Sequence, residues 1–232
     1  MSRQIVVWRH GQTDWNLQGR LQGQTDVPLN ATGRTQARTA AARLASLRPS
    51  RIVTSDLARA ASTAAELGRL CGLEPEPDRR LREVAFGDRE GLTREEMRTR
   101  YPEIEAMFRE GREVVVDGAE TYDAAAERFT ESLVDVAGRT GAGETSVVVA
   151  HGGVIRVGLC RFVGLPREHW RTFGGFANCC WAVLSERGPR WQITEWNAGN
   201  LPEPVMSDDE ASREDDGTEG ADPGVGSVGQ TR

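Results

Sequence analysis

Residues 5–11 read Ile-Val-Val-Trp-Arg-His-Gly, and residues 147–153 read Val-Val-Val-Ala-His-Gly-Gly. Each is an apolar run of the length of a buried strand, and each ends in His-Gly. Open α/β sheets take ligands in the crevice beyond the carboxyl ends of their strands. Two parallel strands of this kind therefore bring His10 and His151 into one pocket, although they stand far apart in the chain. The sequence has three histidines, so two of the three occupy this setting. A single such histidine reads as core. A matched pair, one preceded by Arg9 and both followed by glycine, points to a site. The third, His169 in Pro-Arg-Glu-His-Trp, has no strand before it and no glycine after it. It reads as a structural or surface residue.

Outward from these strands, strand and helix signals alternate. Gly, Gln and Asn dominate from Gly11 to Pro28, a long functional loop. Ala37, Ala40, Ala41, Leu44 and Leu47 stand at helical spacing, so 31–47 is expected to be a helix, ended by Pro49. A short strand over 52–55 leads to Asp56, the expected N-cap of a helix from Leu57 to about Cys71, stopped by Gly72. Residues 81–91 are irregular, and Thr93-Arg-Glu-Glu96 is a capping box for a short helix. The polar stretch 101–118 is expected to form a flexible cap over the crevice. A helix over 121–140, the second histidine strand over 146–150 and a helix over 153–163 follow. Residues 177–184 and 191–196 form a hairpin about Arg187-Gly188-Pro189, with Cys179 and Cys180 as small strand residues on alternate faces. This order predicts an α/β domain over 1–202 with a mostly parallel central sheet flanked by helices. Residues 203–232 are expected to be an acidic, disordered tail. No internal repeat is present.

Composition removes several functions. There is no lysine, which excludes Schiff-base chemistry, P-loop nucleotide binding and the protein-kinase site. Arginine suits bidentate recognition of phosphate or carboxylate. The net charge of −6 arises from residues 203–232, and the remainder is close to neutral. No broad basic field is available for nucleic acid. No stretch is long enough to span a membrane and no signal peptide is read, so no membrane partner is expected. Cys71, Cys160, Cys179 and Cys180 form no C-x-x-C pair and read as reduced thiols of a cytoplasmic protein. The oligomeric state stays open, with a homodimer as one expectation.

Arg9-His10-Gly11 has a specific chemical reading. A neutral imidazole is a nucleophile that forms covalent intermediates, and an adjacent arginine favours the neutral form. Gly11 is expected to let the backbone approach an anion. Arg59, just inside the helix after the second strand, reaches the same crevice. With His151 it completes a cluster of two arginines and two histidines suited to phosphoryl oxygens. A leaving alcohol also needs a proton. Glu83, in Leu81-Arg82-Glu83-Val84-Ala85-Phe86-Gly87, is the candidate donor, with apolar neighbours to raise its pKa. Asp88 and Glu90 are the nearest substitutes. Arg94, Arg98, Arg109 and Arg112 would clamp a substrate carboxylate from the cap, or simply form a solvated face. Trp8, Trp15, Trp181, Trp191 and Trp196 read as packing residues.

Arg9-His10-Gly11-Gln12-Thr13 with Asn16 resembles the signature of the histidine phosphatase superfamily, also called phosphoglycerate mutase-like. The likeness covers about residues 3–197. It continues through Gln22-Gly23, Leu29, Gly33, Ser55-Asp56-Leu57 with Arg59-Ala60, Leu81-Arg82-Glu83 with Gly87, and Ala150-His151-Gly152-Gly153. The resemblance implies a three-layer sandwich of the phosphoglycerate mutase-like type. It implies His10 as the phosphorylated nucleophile and Glu83 as proton donor, then base. By the same resemblance Arg9, Arg59 and His151 hold phosphate, and Asn16, Gln22, Gly23 and Gly152 line the pocket. No metal and no cofactor are implied, and the partner is a small phosphorylated substrate. Asp88-Arg89-Glu90-Gly91-Leu92 resembles the phosphatase branch, and the mutase-type Glu-Arg-His-Tyr-Gly is absent at the acid. A phosphomonoesterase is therefore expected, with a phosphoglycerate mutase as the alternative. A non-catalytic phospholigand-binding module is the third reading, disfavoured because His10, Glu83 and His151 are all present. Residues 10–16 and 174–181 are similar to an actinobacterial subgroup acting on glucosyl-3-phosphoglycerate, which implies that ester as a candidate substrate.

Overall fold

Six strands form one sheet: β1 (Gln4–Arg9), β2 (Arg51–Thr54), β3 (Glu76–Pro77), β4 (Thr145–Ala150), β5 (Trp181–Arg187) and β6 (Arg190–Ala198). Their order is β3-β2-β4-β1-β5-β6 in the computed structural model, which describes residues 2–109 and 116–199. β1 through β4 run parallel, and the β5–β6 hairpin adds two antiparallel strands beside β1. The two valine-rich runs are direct neighbours, with Arg9 opposite Ala150. That register sets the two His-Gly corners side by side at the carboxyl edge.

The helices are α1 (Asp14–Leu17), α2 (Ala31–Leu44), α3 (Ala58–Cys71), α4 (Arg94–Arg100), α5 (Pro102–Arg109), α6 (Tyr122–Arg139) and α7 (Gly152–Phe162). Strand residues alternate between two cores, as a period of two requires. Val6, Trp8, Ile52, Val147 and Val149 pack with Ala37, Ala41, Ala60, Ala64 and Leu67 of α2 and α3. Ile5, Val7, Val53, Val148 and Ala150 pack with Phe129 and Leu133 of α6 and with Val154 and Ile155 of α7. The result is the expected three-layer sandwich. Asn30 caps α2 through the Gly33 amide, and Thr121 caps α6 through the Ala124 amide. Among the described residues no helix is long and apolar enough to cross a membrane.

Three expectations are corrected. Asp56 does not cap α3, whose N-cap position is Leu57 without a side-chain bond. The Ala58 amide is instead bonded by Asp26 Oδ1 at 2.8 Å, while Asp56 takes both arms of Arg82. A cap from a distant loop carries no local spacing signal. The segment expected to be a flexible cap is helical over Pro102–Arg109, and residues 110–115 lie outside the described residues. Cys179 and Cys180 precede β5 rather than forming part of it, and Cys179 adopts a positive φ of 58°. The two-residue strand β3 carries too short a pattern to be read from sequence. The tail expected from Glu203 also lies outside the described residues.

Gly158 shows how tightly α6 and α7 pack. A Cβ there would collide with the ring and Cβ of Phe129. We predict that Gly158→Val destabilises the protein by roughly 1–3 kcal/mol, since overpacked cores cost about that much. Urea melts of both proteins measure it. An unchanged midpoint would mean that the helix pair separates freely.

Candidate active site

His10 is the first residue beyond β1, and its backbone N–H donates to the Ala150 carbonyl at 3.0 Å. His151 is the N-cap residue of α7. Their rings meet edge to face with centroids 5.1 Å apart. His10 Nδ1 lies 2.7 Å from the Gly11 carbonyl oxygen. A carbonyl only accepts, so Nδ1 carries the hydrogen and the Nε2 lone pair is left available. The ring is buried. Burial first, then the Arg59 and Arg9 charges, hold its pKa well below 6.5. The imidazole is therefore held in its neutral form, with burial outweighing the adjacent arginine.

Arg59, second residue of α3, is completely buried. Its Nε donates to His151 Nδ1 at 3.1 Å, and its terminal nitrogens donate to the carbonyls of Thr25 and Gly23 at 2.8 and 2.7 Å. All three acceptors are neutral, and burial lowers its pKa to about 10. A buried cation with neutral partners favours an anion nearby. Because His151 Nδ1 accepts from Arg59, its ring hydrogen sits on Nε2, which donates to Ser55 Oγ at 2.9 Å. Burial, with Arg59 and then His10 and Arg9, holds the His151 pKa well below 6.5. Arg9 donates to the Phe176 carbonyl from the end of β1. A Cβ on Gly152 would press on the Arg9 guanidinium at 3.3 Å.

Glu83 lies across the pocket at the N-terminus of α7. Oε1 accepts from the amides of Val84 and Val154 at 2.9 and 2.8 Å, and Oε2 from Gly153 at 3.0 Å. A helix N-terminus suits a carboxyl group. Oε2 has one donor and keeps a lone-pair direction for a proton or a substrate oxygen. Glu90, the nearest substitute acid, accepts from the amides of Gln24, Thr25 and Phe86 and from the Thr25 hydroxyl. It is committed to holding the loop that carries Arg59's acceptors.

A cavity of about 530 Å³ opens on these groups. Arg9, His10, Arg59 and Glu83 line it, as do Asn16, Gln22, Gly23 and Gly152. His151 packs against His10 behind this wall. Both of its ring nitrogens are engaged by Arg59 and Ser55. Gly11 has a packing reason to be small, since a Cβ there would strike the Gly33 carbonyl. Its small size serves loop packing. Arg94 and Arg98 of α4 line the outer wall. The Arg109 side chain and Arg112 lie outside the described residues.

Sequence reasoning missed several members of the site. Trp15, read as a packing residue, lines the cavity with Phe86, Met97 and Phe176. Arg156 lines it too, four residues beyond Gly152 and so on the same face of α7; that spacing was visible. Ser55 follows β2 at the same sheet edge, and strand-end position was its signal. Asn178, which donates to the His10 carbonyl and to Asn16 Oδ1, had none. No group of three or more His, Cys, Asp or Glu placed to hold a metal occurs among the described residues.

Comparison with known proteins bears on this geometry. The family model described as "Histidine phosphatase superfamily (branch 1)" matches residues 5–199. A glucosyl-3-phosphoglycerate phosphatase of Mycobacterium tuberculosis is 37% identical over 212 residues, covering 85% of this chain and 95% of that one. A metal-independent phosphoserine phosphatase of Arabidopsis thaliana is 34% identical over 201 residues, covering 84% and 81%. The solved structure of a mycobacterial glucosyl-3-phosphoglycerate phosphatase in complex with VO3 superposes with a TM-score of 0.78. It is 37% identical and covers 85% of this chain and all of that one.

The two depressed imidazole pKa values give a stability test. Below about pH 6.5 the unfolded chain protonates both rings while the folded protein keeps them neutral. The unfolded state then binds more protons, so stability rises with pH and is lost as the pH is lowered. We predict a slope approaching about 2.7 kcal/mol per pH unit from these two groups below that point. Urea melts between pH 7.5 and 5.5 measure it, and a double His10→Asn, His151→Asn variant should flatten the slope. Equal stability across that range would contradict two buried neutral imidazoles.

Proposed function

The chain belongs to the histidine phosphatase superfamily and is a phosphoric monoester hydrolase for small phosphorylated metabolites, and we propose that it works through a phosphohistidine on His10. The observation that carries this reading is the His10 ring. It is neutral, fixed through Nδ1 on the Gly11 carbonyl, and lines a cavity beside a buried arginine.

In the first step the phosphoryl group lies against Arg9 and Arg59. The Nε2 lone pair of His10 attacks phosphorus as the ester P–O bond breaks. The leaving oxygen takes the electron pair and a proton from Glu83. In the second step the Glu83 carboxylate accepts a proton from water, and the water oxygen attacks the same phosphorus. The P–N bond breaks, its electrons return to Nε2, and inorganic phosphate departs. His151 supports both steps by holding the Arg59 Nε and bracing the His10 ring. Neither step calls for a metal or an organic cofactor.

For the substrate we favour glucosyl-3-phosphoglycerate. The support is the name of the mycobacterial relatives and a cavity larger than a phosphate group needs. Its outer wall combines Trp15, Phe86 and Met97 with Arg94, Arg98 and Arg156, a surface suited to a sugar and a carboxylate. We place the enzyme in the cytoplasm, in keeping with four cysteines outside any disulfide.

A panel of phosphorylated metabolites, read by phosphate release after treatment with chelator, tests the reading. Glucosyl-3-phosphoglycerate should give the highest kcat/KM, with activity unchanged by chelator. Conversion of 3-phosphoglycerate to 2-phosphoglycerate without phosphate release would make the enzyme a mutase instead. Activity restored only by a divalent ion would count against the mechanism. Glu83→Gln should slow hydrolysis of alkyl phosphates by roughly 10²–10⁴-fold. Full activity in that variant would remove Glu83 from the reaction.

A further inference from the structure

Glu83 sits in a stretch without regular backbone pairing, between the short 3-10 turns at 79–81 and 87–89. Nothing in a ladder or helix fixes it, yet its carboxyl group must meet a leaving oxygen within a few tenths of an ångström. Gln24 donates to the Glu83 carbonyl at 3.2 Å, but the side chain that bonds most of this backbone comes from α6, which shares a core with Leu81 and Val84. Arg128 of α6 donates from Nη1 to the carbonyls of Arg80 and Arg82 at 2.7 and 2.6 Å, and from Nη2 to the Glu83 carbonyl at 3.0 Å. Its remaining N–H groups go to Glu120, through Nε at 3.0 Å and through Nη2. Glu120 in turn accepts from the Ala85 amide at 2.8 Å and donates its own amide to the Ala85 carbonyl at 3.0 Å.

All five N–H donors of one guanidinium are thus used, three of them on the carbonyls around Glu83. Lysine has three donors on a single nitrogen and cannot reproduce this fork. Glu83 is fixed at both ends: its backbone to α6 by Arg128, its carboxyl group to the start of α7. The two anchors share a rigid base, because Phe129, next to Arg128, packs directly against Gly158 of α7.

We propose that Arg128, with Glu120, is a positioning residue that sets the proton-donating geometry of Glu83. It touches neither phosphate nor the reacting atoms and acts through Glu83 alone. The proposal rests on the reading of Glu83 as general acid, so the experiment tests the two separately.

The measurement is the single-turnover rate of His10 phosphorylation with an alkyl phosphate and with p-nitrophenyl phosphate, whose acidic leaving group needs little protonation. Four proteins are compared: the parent, Glu83→Gln, Arg128→Met and the double variant. Misplacing a catalytic group by about an ångström costs on the order of 10²-fold. Arg128→Met should therefore slow the alkyl reaction roughly 10- to 100-fold and the aryl reaction by less than about threefold. The double variant should be no slower with the alkyl substrate than Glu83→Gln alone, because two residues acting through one group are not additive.

Equal losses for both substrates in Arg128→Met, or full additivity in the double variant, would overturn the clamp while leaving the acid in place. Equal losses for both substrates in Glu83→Gln would remove the acid and the clamp with it. Should Arg128→Met fail to fold, Arg128→Lys and Glu120→Gln take its place. Each must then show the same preference for losing the alkyl reaction, and a uniform loss in both overturns the proposal.

Discussion

Arg59 is a cation without exposed surface, and its three hydrogen-bonding partners are two carbonyls and an imidazole. Removing a charge from water costs several kcal/mol even after relaxation, so much of the surrounding structure serves this group. The carbonyls of Gly23 and Thr25 face it because Glu90 gathers the neighbouring amides. Asp26 ties the same loop to the first turn of α3. The imidazoles beside it are kept neutral by burial and by its own field. Glu83, Asp26 and Glu90 act on it only through space, and in the proposed reading the phosphoryl group is its direct anionic partner. In the proposed mechanism, affinity for phosphate and a nucleophilic histidine thus follow from one constraint.

The acid is set apart from this cluster. Among the described residues the Glu83 carboxyl group pairs with no guanidinium; it rests on two backbone amides at the start of α7 and on the Val84 amide. An ion pair with Arg9 or Arg59 would neutralise the anion site and consume the proton donor together. Glycines at 152 and 153 keep the space between them clear, since side chains there would press on Arg9 and on Glu83 respectively. The His151-Gly152-Gly153 corner therefore serves both halves of the chemistry. It packs on the His10 ring on one side and seats the Glu83 carboxyl group on the other.

Much of this was legible in the sequence, and the parts that were not share a cause. The two His-Gly strand ends, the helices beginning after Asn30 and Thr121, and the capping box at Thr93 all write their structure in neighbouring residues. Those elements appear where their patterns place them. The expected cap at Asp56 fails because its carboxylate is claimed by a partner far along the chain, Arg82. Trp15 and Arg156 reach the cavity through side-chain direction, which periodicity suggests only weakly. Arg128 looks like any arginine on an amphipathic helix. Only the three carbonyls folded beneath it distinguish it.

The central claim is that phosphorus passes through a covalent bond to His10, and the intermediate itself is the most direct evidence. The enzyme should be mixed with excess substrate, quenched in alkaline denaturant within the first turnover and digested for mass spectrometry. The account predicts an acid-labile, alkali-stable phosphate on the peptide carrying His10, formed and lost at rates consistent with turnover and absent from His10→Ala. Phosphate on His151, or turnover with no phosphorylated peptide and transfer directly to water, would contradict it.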